Sequence, residues 1–231
     1  MSLFAIGDTH LSFGTDKPMN VFRGWDNYVE RLETNWKTLV GADDTVVIMG
    51  DVSWAMNFDE LKKDLEFINS LPGQKIILKG NHDYWWNTLS KMNAFLKENS
   101  FDTVKFLYNN AYPVGNISVC GTRGWFFDCE EEHAEKIVLR EAGRLRTSIQ
   151  KGRETGLEPV VFLHYPPLSK TEICQPIFNV LKEECIRYCY YAHLHSASAY
   201  NSFNGEYEGI RFELLSADYL KFCPRKLNEI K

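Results

Sequence analysis

The sequence has 231 residues, of which 44% are hydrophobic, 14% aromatic and 25% charged. This composition excludes a disordered chain, because it supplies enough apolar surface for a packed core. The formal net charge of −5 argues against a nucleic-acid partner, since such proteins usually present a basic surface. At this length we expect one domain over residues 1–231, carrying an elaboration, rather than two separate domains.

Membrane attachment and export are not expected from the sequence. No apolar run approaches the roughly 18 residues that a membrane span needs, so we expect no membrane partner. The first residues lack the basic and long apolar regions of a signal peptide. The six cysteines include no Cys-x-x-Cys pair. We therefore expect reduced thiols and a cytoplasmic location.

The first half of the chain alternates buried strands with amphipathic helices. Continuous apolar runs predict strands at Leu3–Ile6, Val46–Met49, Ile76–Leu78 and, later, Val160–Leu163. Apolar residues from Trp25 to Leu39 recur at steps of three and four, which predicts a helix. A second helix follows Asn57 and Glu60, whose spacing is that of a capping box. This order predicts a largely parallel α/β sheet.

The middle of the chain departs from this alternation. Strands are predicted at Thr103–Tyr108 and Asn116–Gly121, where we expect a second sheet to begin, and a late strand at Ile210–Leu215. A helix is predicted from Ala134 to Ile149, preceded by acidic residues at 130–132 and by His133, interpreted as a solvated surface residue. We therefore expect an insertion at about residues 101–157.

Five predicted strands, the four above and Cys189–Ala192, run directly into residues of types that bind metals. These segments are Asp8-Thr9-His10, Gly50-Asp51, Gly80-Asn81-His82-Asp83, His164 and His193-Leu194-His195. Each alone has an ordinary explanation as a turn or a core histidine, and only the Gly-Asn-His-Asp string is specific. Ligands of open α/β sheets bind at the carboxyl ends of strands, so the five segments together predict one site. Imidazole and carboxylate ligands favour manganese, iron or zinc.

This series resembles the motifs of the calcineurin-like metallophosphoesterases, in order and spacing, across residues 8–195. The resemblance implies a four-layer α/β/β/α sandwich with two mixed sheets and a centre of two divalent metal ions. It implies that one ion is held by Asp8, His10 and His195. It implies that the other is held by Asn81, His164 and His193, with Asp51 between them. By the same resemblance, His82 would act as general acid near the departing oxygen and Asp83 would orient it.

The sequence departs from the family pattern in two places. Ala192 stands where such families usually have glycine, and from it we expect a slightly shifted loop. Gly50-Asp51 is not followed by the Asp-Arg-Gly typical of Ser/Thr protein phosphatases in this superfamily. The segments Tyr84-Trp85-Trp86 and Gly121-Thr122-Arg123-Gly124-Trp125 make the chain similar to bacterial phosphohydrolases whose substrate is unassigned.

Three features near the motifs leave their roles open. Arg123, between two glycines after a predicted strand, is either a phosphate-binding residue or a surface arginine in a turn. Trp54 and the aromatic residues 84–86 either stack on substrate or pack the protein. The segment from Leu11 to Arg23 is either a lid or a connector.

The predicted function is a dinuclear metal-dependent phosphoesterase. The expected reaction is in-line attack of a metal-bound hydroxide on a phosphoester, more readily on a small phosphodiester. The alternatives are a phosphomonoesterase or a nuclease using the same site, or a non-catalytic interaction module on the same scaffold. The last is disfavoured because all seven ligand positions carry a competent side chain. The natural substrate, the metals and the oligomeric state are left open.

Overall fold

The computed structural model describes residues 1–125 and 134–227. The strands are β1 (Leu3–Ile6), β2 (Thr45–Met49), β3 (Gln74–Leu78), β4 (Val104–Phe106), β5 (Tyr112–Val114), β6 (Ile117–Thr122), β7 (Glu158–Leu163), β8 (Tyr188–Tyr191), β9 (Gly205–Tyr207), β10 (Ile210–Leu214) and β11 (Arg225–Lys226). The α-helices are α1 (Tyr28–Leu39), α2 (Phe58–Ser70), α3 (Leu89–Glu98), α4 (Ala134–Arg153) and α5 (Gln175–Glu183). Short 3₁₀ segments lie at Met19–Val21 and Ser196–Asn201.

The strands form two mixed sheets. The first has the order β11-β1-β2-β3-β4, in which β1 to β4 are parallel and β11 is antiparallel. The second has the order β5-β6-β7-β8-β10-β9, with a parallel centre and antiparallel edges at β5 and β9. The parallel strands of each sheet therefore bring their carboxyl ends to a common edge.

Three apolar clusters separate four layers. Alternate residues of β1 show the arrangement, because successive side chains of a strand point to opposite faces. Phe4 and Ile6 belong to the cluster shared with α1, α2 and α3, whereas Leu3 and Ala5 belong to the cluster between the two sheets. A third cluster joins the second sheet to α4 and α5. The predicted α/β/β/α sandwich is thus confirmed.

The helix ends follow from local chemistry. Asn57 caps α2, since its side-chain oxygen accepts the Glu60 N–H at 3.0 Å. The Glu60 carboxylate accepts the Met56 N–H at 2.8 Å rather than the Asn57 N–H, so the predicted box forms its first bond and replaces the second by one to the preceding residue. α1 begins at Tyr28, later than the apolar pattern indicates, because Asn27 before it has a left-handed φ of 49°.

The second sheet begins one strand later than expected. The strand predicted at Thr103–Tyr108 is β4, which pairs in parallel with β3 and completes the first sheet. Residues 101–157 thus supply β4 to one sheet and β5, β6 and α4 to the layers of the other. The single domain with an elaboration at this segment stays a prediction. The acidic residues 130–132 and His133 lie outside the described residues.

The described residues bear on the expectations about membrane spans and cysteines. No helix within residues 1–125 and 134–227 is both long enough and apolar enough to cross a membrane. The described cysteines, at positions 120, 174, 185, 189 and 223, are free thiols.

Candidate metal centre

The five predicted segments meet where the two sheets place the carboxyl ends of β1, β2, β3, β7 and β8. Two groups of potential ligand atoms form there, each with all its members within 4.8 Å of one another. The first group is Asp8, His10 and His195. The second group is Asp51, His164 and His193. Each group combines residues from both sheets, so the site exists only once the sheets are packed.

Asp51 lies between the two groups. Its Oδ2 atom is 3.8 Å from Nε2 of His10 in the first group and 3.6 Å from Nε2 of His164 in the second. Asn81 completes the set, since its Oδ1 atom lies 2.6 Å from the same nitrogen of His164. The seven residues predicted as ligands are therefore all brought to one place. Asp51 thus lies within 4 Å of an imidazole of each group.

Four of these residues have a left-handed backbone. The φ angles are 59° at Asp8, 43° at His10, 49° at Asp51 and 72° at His193. Such conformations cost non-glycine residues on the order of 1–3 kcal/mol and are concentrated at functional sites. Their presence directly after three strands indicates that the turns are shaped to direct side chains into the centre.

Gly50 and Gly80 allow the loops after β2 and β3 to approach each other. A Cβ atom on Gly80 would lie 2.1 Å from Oδ1 of Asp51, and one on Gly50 would lie 2.8 Å from Nδ1 of His164. Gly50 also has a φ of 80°, which other residues adopt only with strain. The glycine before Asp51 and the glycine before Asn81 are therefore steric requirements of this site.

The alanine that replaces the family's glycine fits against Gly7. Ala192 is fully buried, and a Cβ atom added to Gly7 would lie 2.4 Å from its methyl carbon. The next residue, His193, takes the left-handed conformation, and its Nδ1 atom lies 3.3 Å from Nε2 of His164. The slightly shifted loop expected from this alanine stays a prediction.

Hydrogen bonds from outside the seven residues orient the imidazoles. Nδ1 of His164 lies 3.0 Å from the Met49 carbonyl oxygen, and Nδ1 of His195 lies 2.9 Å from a carboxylate oxygen of Asp218. Such partners fix the tautomer and ring direction of metal-binding histidines. The sequence analysis missed Asp218. The signal that could have indicated it is an aspartate shortly after the strand predicted at Ile210–Leu215.

Asp83 connects the loops that carry Asp51 and Asn81. Its carboxylate accepts the N–H groups of Gly80 at 2.7 Å, Asp51 at 2.9 Å and Val52 at 2.9 Å, and the Trp85 Nε1–H at 3.1 Å. These donors occupy both carboxylate oxygens. The expected bond from Asp83 to the His82 ring is not among the hydrogen bonds of the described residues.

His82 lies at the partly exposed side of the centre. Its ring centroid is 4.5 Å from that of Trp54, and its Nδ1 atom lies 3.2 Å from the Tyr84 hydroxyl. Trp54 also stacks on His10, with centroids 4.9 Å apart, and Lys17 lies over its ring. Trp54 is therefore part of the centre's wall, and residues from the 11–23 segment contact it.

Burial and mutual charge interactions shift the pKa values of the ligands in the centre. Burial and the charge of Asp8 raise the pKa of Asp51 to about 8. Burial also acts to raise the pKa of Asp8, but the charges of His195 and His164 outweigh it and hold that pKa below its ordinary value. Burial lowers the pKa of His10 to about 3, which keeps its imidazole neutral. Divalent metals bind neutral imidazoles and ionised carboxylates, so His10 and Asp8 are already in the binding form, whereas Asp51 must first lose its proton.

Unpartnered buried atoms provide a second test of fit. Among the described residues, Oδ1 of Asp8, Nδ1 of His10 and Nε2 of His195 are buried without a hydrogen-bond partner. Buried polar atoms normally have a hydrogen-bond partner. A buried atom without one requires an explanation, such as a bound ion. The three atoms belong to one ligand group, so the residues present fit a divalent cation bound by nitrogen and oxygen.

Arg123 lies at the edge of this centre, after β6. Its carbonyl oxygen accepts the N–H groups of His164 at 3.2 Å and Tyr165 at 2.9 Å. Its guanidinium stacks over Trp125, 4.6 Å from the ring centroid. The arginine is thus tied to the second ligand group through its backbone, and its side chain lines a cavity beside the centre.

Known structures share this fold at low sequence identity. A protein of unknown function from Aquifex aeolicus has 17% identity and a TM-score of 0.53, with 99% of this chain and 97% of that chain covered. Phosphopantetheinyl hydrolase from Mycobacterium tuberculosis has 15% identity and a TM-score of 0.52, covering 99% and 96%. The protein TT1561 of Thermus thermophilus has 13% identity and a TM-score of 0.53, covering 84% and 81%. No curated protein gives a significant match.

The sequence itself matches a family model. The model of the calcineurin-like phosphoesterases matches residues 1–197, which include every one of the five segments. This match, the two mixed sheets and the paired ligand groups agree with one another. The chain belongs to the calcineurin-like phosphoesterase family and is a metal-dependent phosphoester hydrolase.

Proposed function

We propose that this enzyme works with two divalent ions, chosen from manganese, iron and zinc, and that it hydrolyses a small phosphodiester. The position of Asp51 carries the two-ion proposal. Its carboxylate lies 3.8 Å and 3.6 Å from imidazoles of two different ligand groups, and it is buried. A single carboxylate within reach of both groups is what a pair of ions about 3.5–4 Å apart requires.

The chain's own residues would hold the ions and shield the reaction. The first ion would be held by Asp8, His10 and His195 and the second by Asn81, His164 and His193. When bound, two divalent ions offset the charge of the phosphate and activate a water for in-line attack. Asp83 and the glycines of the two loops keep Asp51 in place, and Asp218 orients His195.

His82 is proposed to give a proton to the departing oxygen. Its Nδ1 atom faces the Tyr84 hydroxyl at 3.2 Å, so Nε2 is the nitrogen left for the substrate. Burial lowers the pKa of this imidazole, so the proposed role requires that the negative charge of the bound substrate favour its protonated form. Backbone contact with Asp51, whose Oδ1 accepts the His82 N–H at 2.7 Å, keeps the residue beside the centre.

The rim of the site favours a small diester over the alternatives. Trp54 and the exposed Tyr84 flank His82 and offer aromatic faces to a leaving group. A nuclease is disfavoured by the net charge of −5, since polymers are bound through many cations. A non-catalytic interaction module is disfavoured because all seven ligand positions are competent and converge. A phosphomonoesterase would use the same centre, so a comparison of diester and monoester turnover distinguishes the two activities.

The test is hydrolysis of bis(p-nitrophenyl) phosphate and of the p-nitrophenyl monoester by protein reloaded with manganese. We expect turnover of the diester to exceed that of the monoester and to disappear, with metal binding, in Asp51→Ala. The exposed Asp59→Ala in the first turn of α2 is the matched control. Faster monoester turnover would overturn the diester proposal, and full diester turnover in Asp51→Ala would overturn the proposed centre.

A further inference from the structure

A cavity of about 390 Å³ lies beside the metal centre and concentrates positive charge. Its described lining contains four cationic side chains and one carboxylate, Glu141. The cations are Lys79, Arg123, Arg140 and Arg144. This excess stands out in a chain whose net charge is −5. The volume lies within the roughly 300–1,000 Å³ typical of small-molecule sites.

The single carboxylate is already neutralised. Oε1 of Glu141 accepts a hydrogen bond from Arg144 at 2.6 Å, and its Oε2 accepts the Thr122 hydroxyl at 2.7 Å. The remaining three cations form no ion pair with the described carboxylates. Lys79 and Arg123 are partly buried and Arg140 is exposed, and the positive potential of cations gathered around one cavity attracts a negatively charged ligand.

Donors around the cavity point to the same kind of ligand. Nε of Arg123 and Nε1 of Trp86 are buried without hydrogen-bond partners among the described residues. Stacking over Trp125 and Tyr108 restrains the guanidinium groups of Arg123 and Arg144. Asn87 and Thr88, at the amino end of α3, also line the cavity. A restrained guanidinium and a helix amino terminus are both suited to phosphate oxygens.

Two residues that line the cavity, Lys79 and Arg123, are joined to segments of the metal centre by the chain or by a hydrogen bond. Lys79 immediately precedes the segment that carries Asn81, and the Arg123 backbone is bonded to the His164 N–H at 3.2 Å. These links place the cavity at the same edge of the sheets as the metal ligands, which is the placement that a single substrate reaching both would need.

We infer that this cavity binds a second phosphate of the substrate, remote from the scissile one. The inference rests on the proposed function and deepens it, because it names the substrate class as a small phosphodiester that carries an additional phosphate. In this arrangement the metals hold the reacting diester, and Lys79, Arg123 and Arg140 hold the unreacting phosphate.

The test compares two chromogenic diesters that differ by one phosphate. They are thymidine 5′-(p-nitrophenyl phosphate) and the same compound with a 3′-phosphate. We expect kcat/KM to be at least about tenfold higher for the 3′-phosphorylated compound, the size of effect typical of charge-assisted hydrogen bonds. The ratio should fall to within about threefold of one in Arg140→Gln and in Arg123→Gln. Arg146→Gln, on the same helix but paired with Glu183 and Glu184, should keep it.

A binding measurement on metal-free protein provides a readout that does not depend on turnover. Calorimetry with inorganic pyrophosphate should give one site, which weakens about tenfold or more in Arg140→Gln and not in Arg146→Gln. Equal turnover of the two diesters, or unchanged pyrophosphate binding in Arg140→Gln, would overturn the inference while leaving the phosphoesterase intact. Failure to hydrolyse either diester, with the arginine-dependent binding present, would instead count against the proposed diesterase activity and uphold the anion site.

Discussion

The two carboxylates of the metal centre respond in opposite directions to the residues around them. The pKa of Asp8 is held below its ordinary value, whereas that of Asp51 is raised to about 8 by burial and by the charge of Asp8. Burial opposes a positive charge on His195, yet Asp8 and Asp218 raise its pKa to about 10. At neutral pH Asp51 and His195 of the metal-free protein therefore carry protons, which divalent ions must displace.

This distribution predicts that metal binding releases protons. Between pH 6 and 7, both Asp51 and His195 are largely protonated before binding and deprotonated after it, so affinity for manganese should rise with pH. His10 and His193, whose pKa burial lowers to about 3, should release none. Calorimetry in buffers of different ionisation enthalpy measures the number. An affinity that is constant over this pH range would contradict the assignment.

Substitutions of His82 and of Asp51 should have different effects on metal binding and on turnover. We expect His82→Ala to retain its metals and to lose about a hundredfold in turnover, the usual contribution of a general acid. Asp51→Ala should lose metal and turnover together. Metal content by mass spectrometry and turnover of the diester are measured on the same preparations. Wild-type turnover in His82→Ala would show that another group, or water, supplies the proton.

At the scale of elements, the loops after β2 and β3 are held together by one buried carboxylate. Asp83 accepts N–H groups from Gly80, Asp51 and Val52. If its role is to hold these loops, Asp83→Asn should weaken metal binding and lower the unfolding free energy by about 1–3 kcal/mol, because buried donors lose their acceptor. If its role were only to orient His82, metal affinity would be unchanged and turnover alone would fall. Metal titration of the variant decides between them.

The contact between Gly7 and Ala192 joins the ends of β1 and β8. A methyl group on Gly7 would lie 2.4 Å from that of Ala192, so Gly7→Ala should destabilise the fold by about 1–3 kcal/mol through overpacking. The double variant Gly7→Ala/Ala192→Gly removes the clash and should recover most of that loss in urea unfolding. Independent, additive effects of the two substitutions would show that the methyl groups do not compete for one space.

Some strands, helices and contacts of this fold could be predicted from the sequence, and others could not. Continuous apolar runs located the buried strands and hence the ligands that follow them. Short edge strands such as β5 and β11, and the helices α3 and α5, went unpredicted because their patterns span few residues. Asp218 contacts His195, and Ala192 lies against Gly7. Both contacts join segments far apart in the chain, so local sequence patterns cannot predict them.

At the scale of the whole molecule, each ligand group draws on both sheets. The first sheet supplies Asp8 and His10 to one group, and the second supplies His195. In the other group, Asp51 follows the first sheet, whereas His164 and His193 follow the second. A bound ion would therefore connect the two sheets at the edge where they meet, and unfolding would require its release.

Metal should accordingly stabilise the entire fold rather than one loop. Ligand that binds only the native state adds about 4 kcal/mol at a thousandfold excess over Kd, so manganese should raise the melting temperature and a chelator should lower it. The shift should vanish in Asp51→Ala and persist in the control Asp59→Ala. Because the ligands come from both sheets, hydrogen exchange should slow in β1 and β2 and also in β7 and β8. Protection confined to one sheet would contradict a centre shared between them.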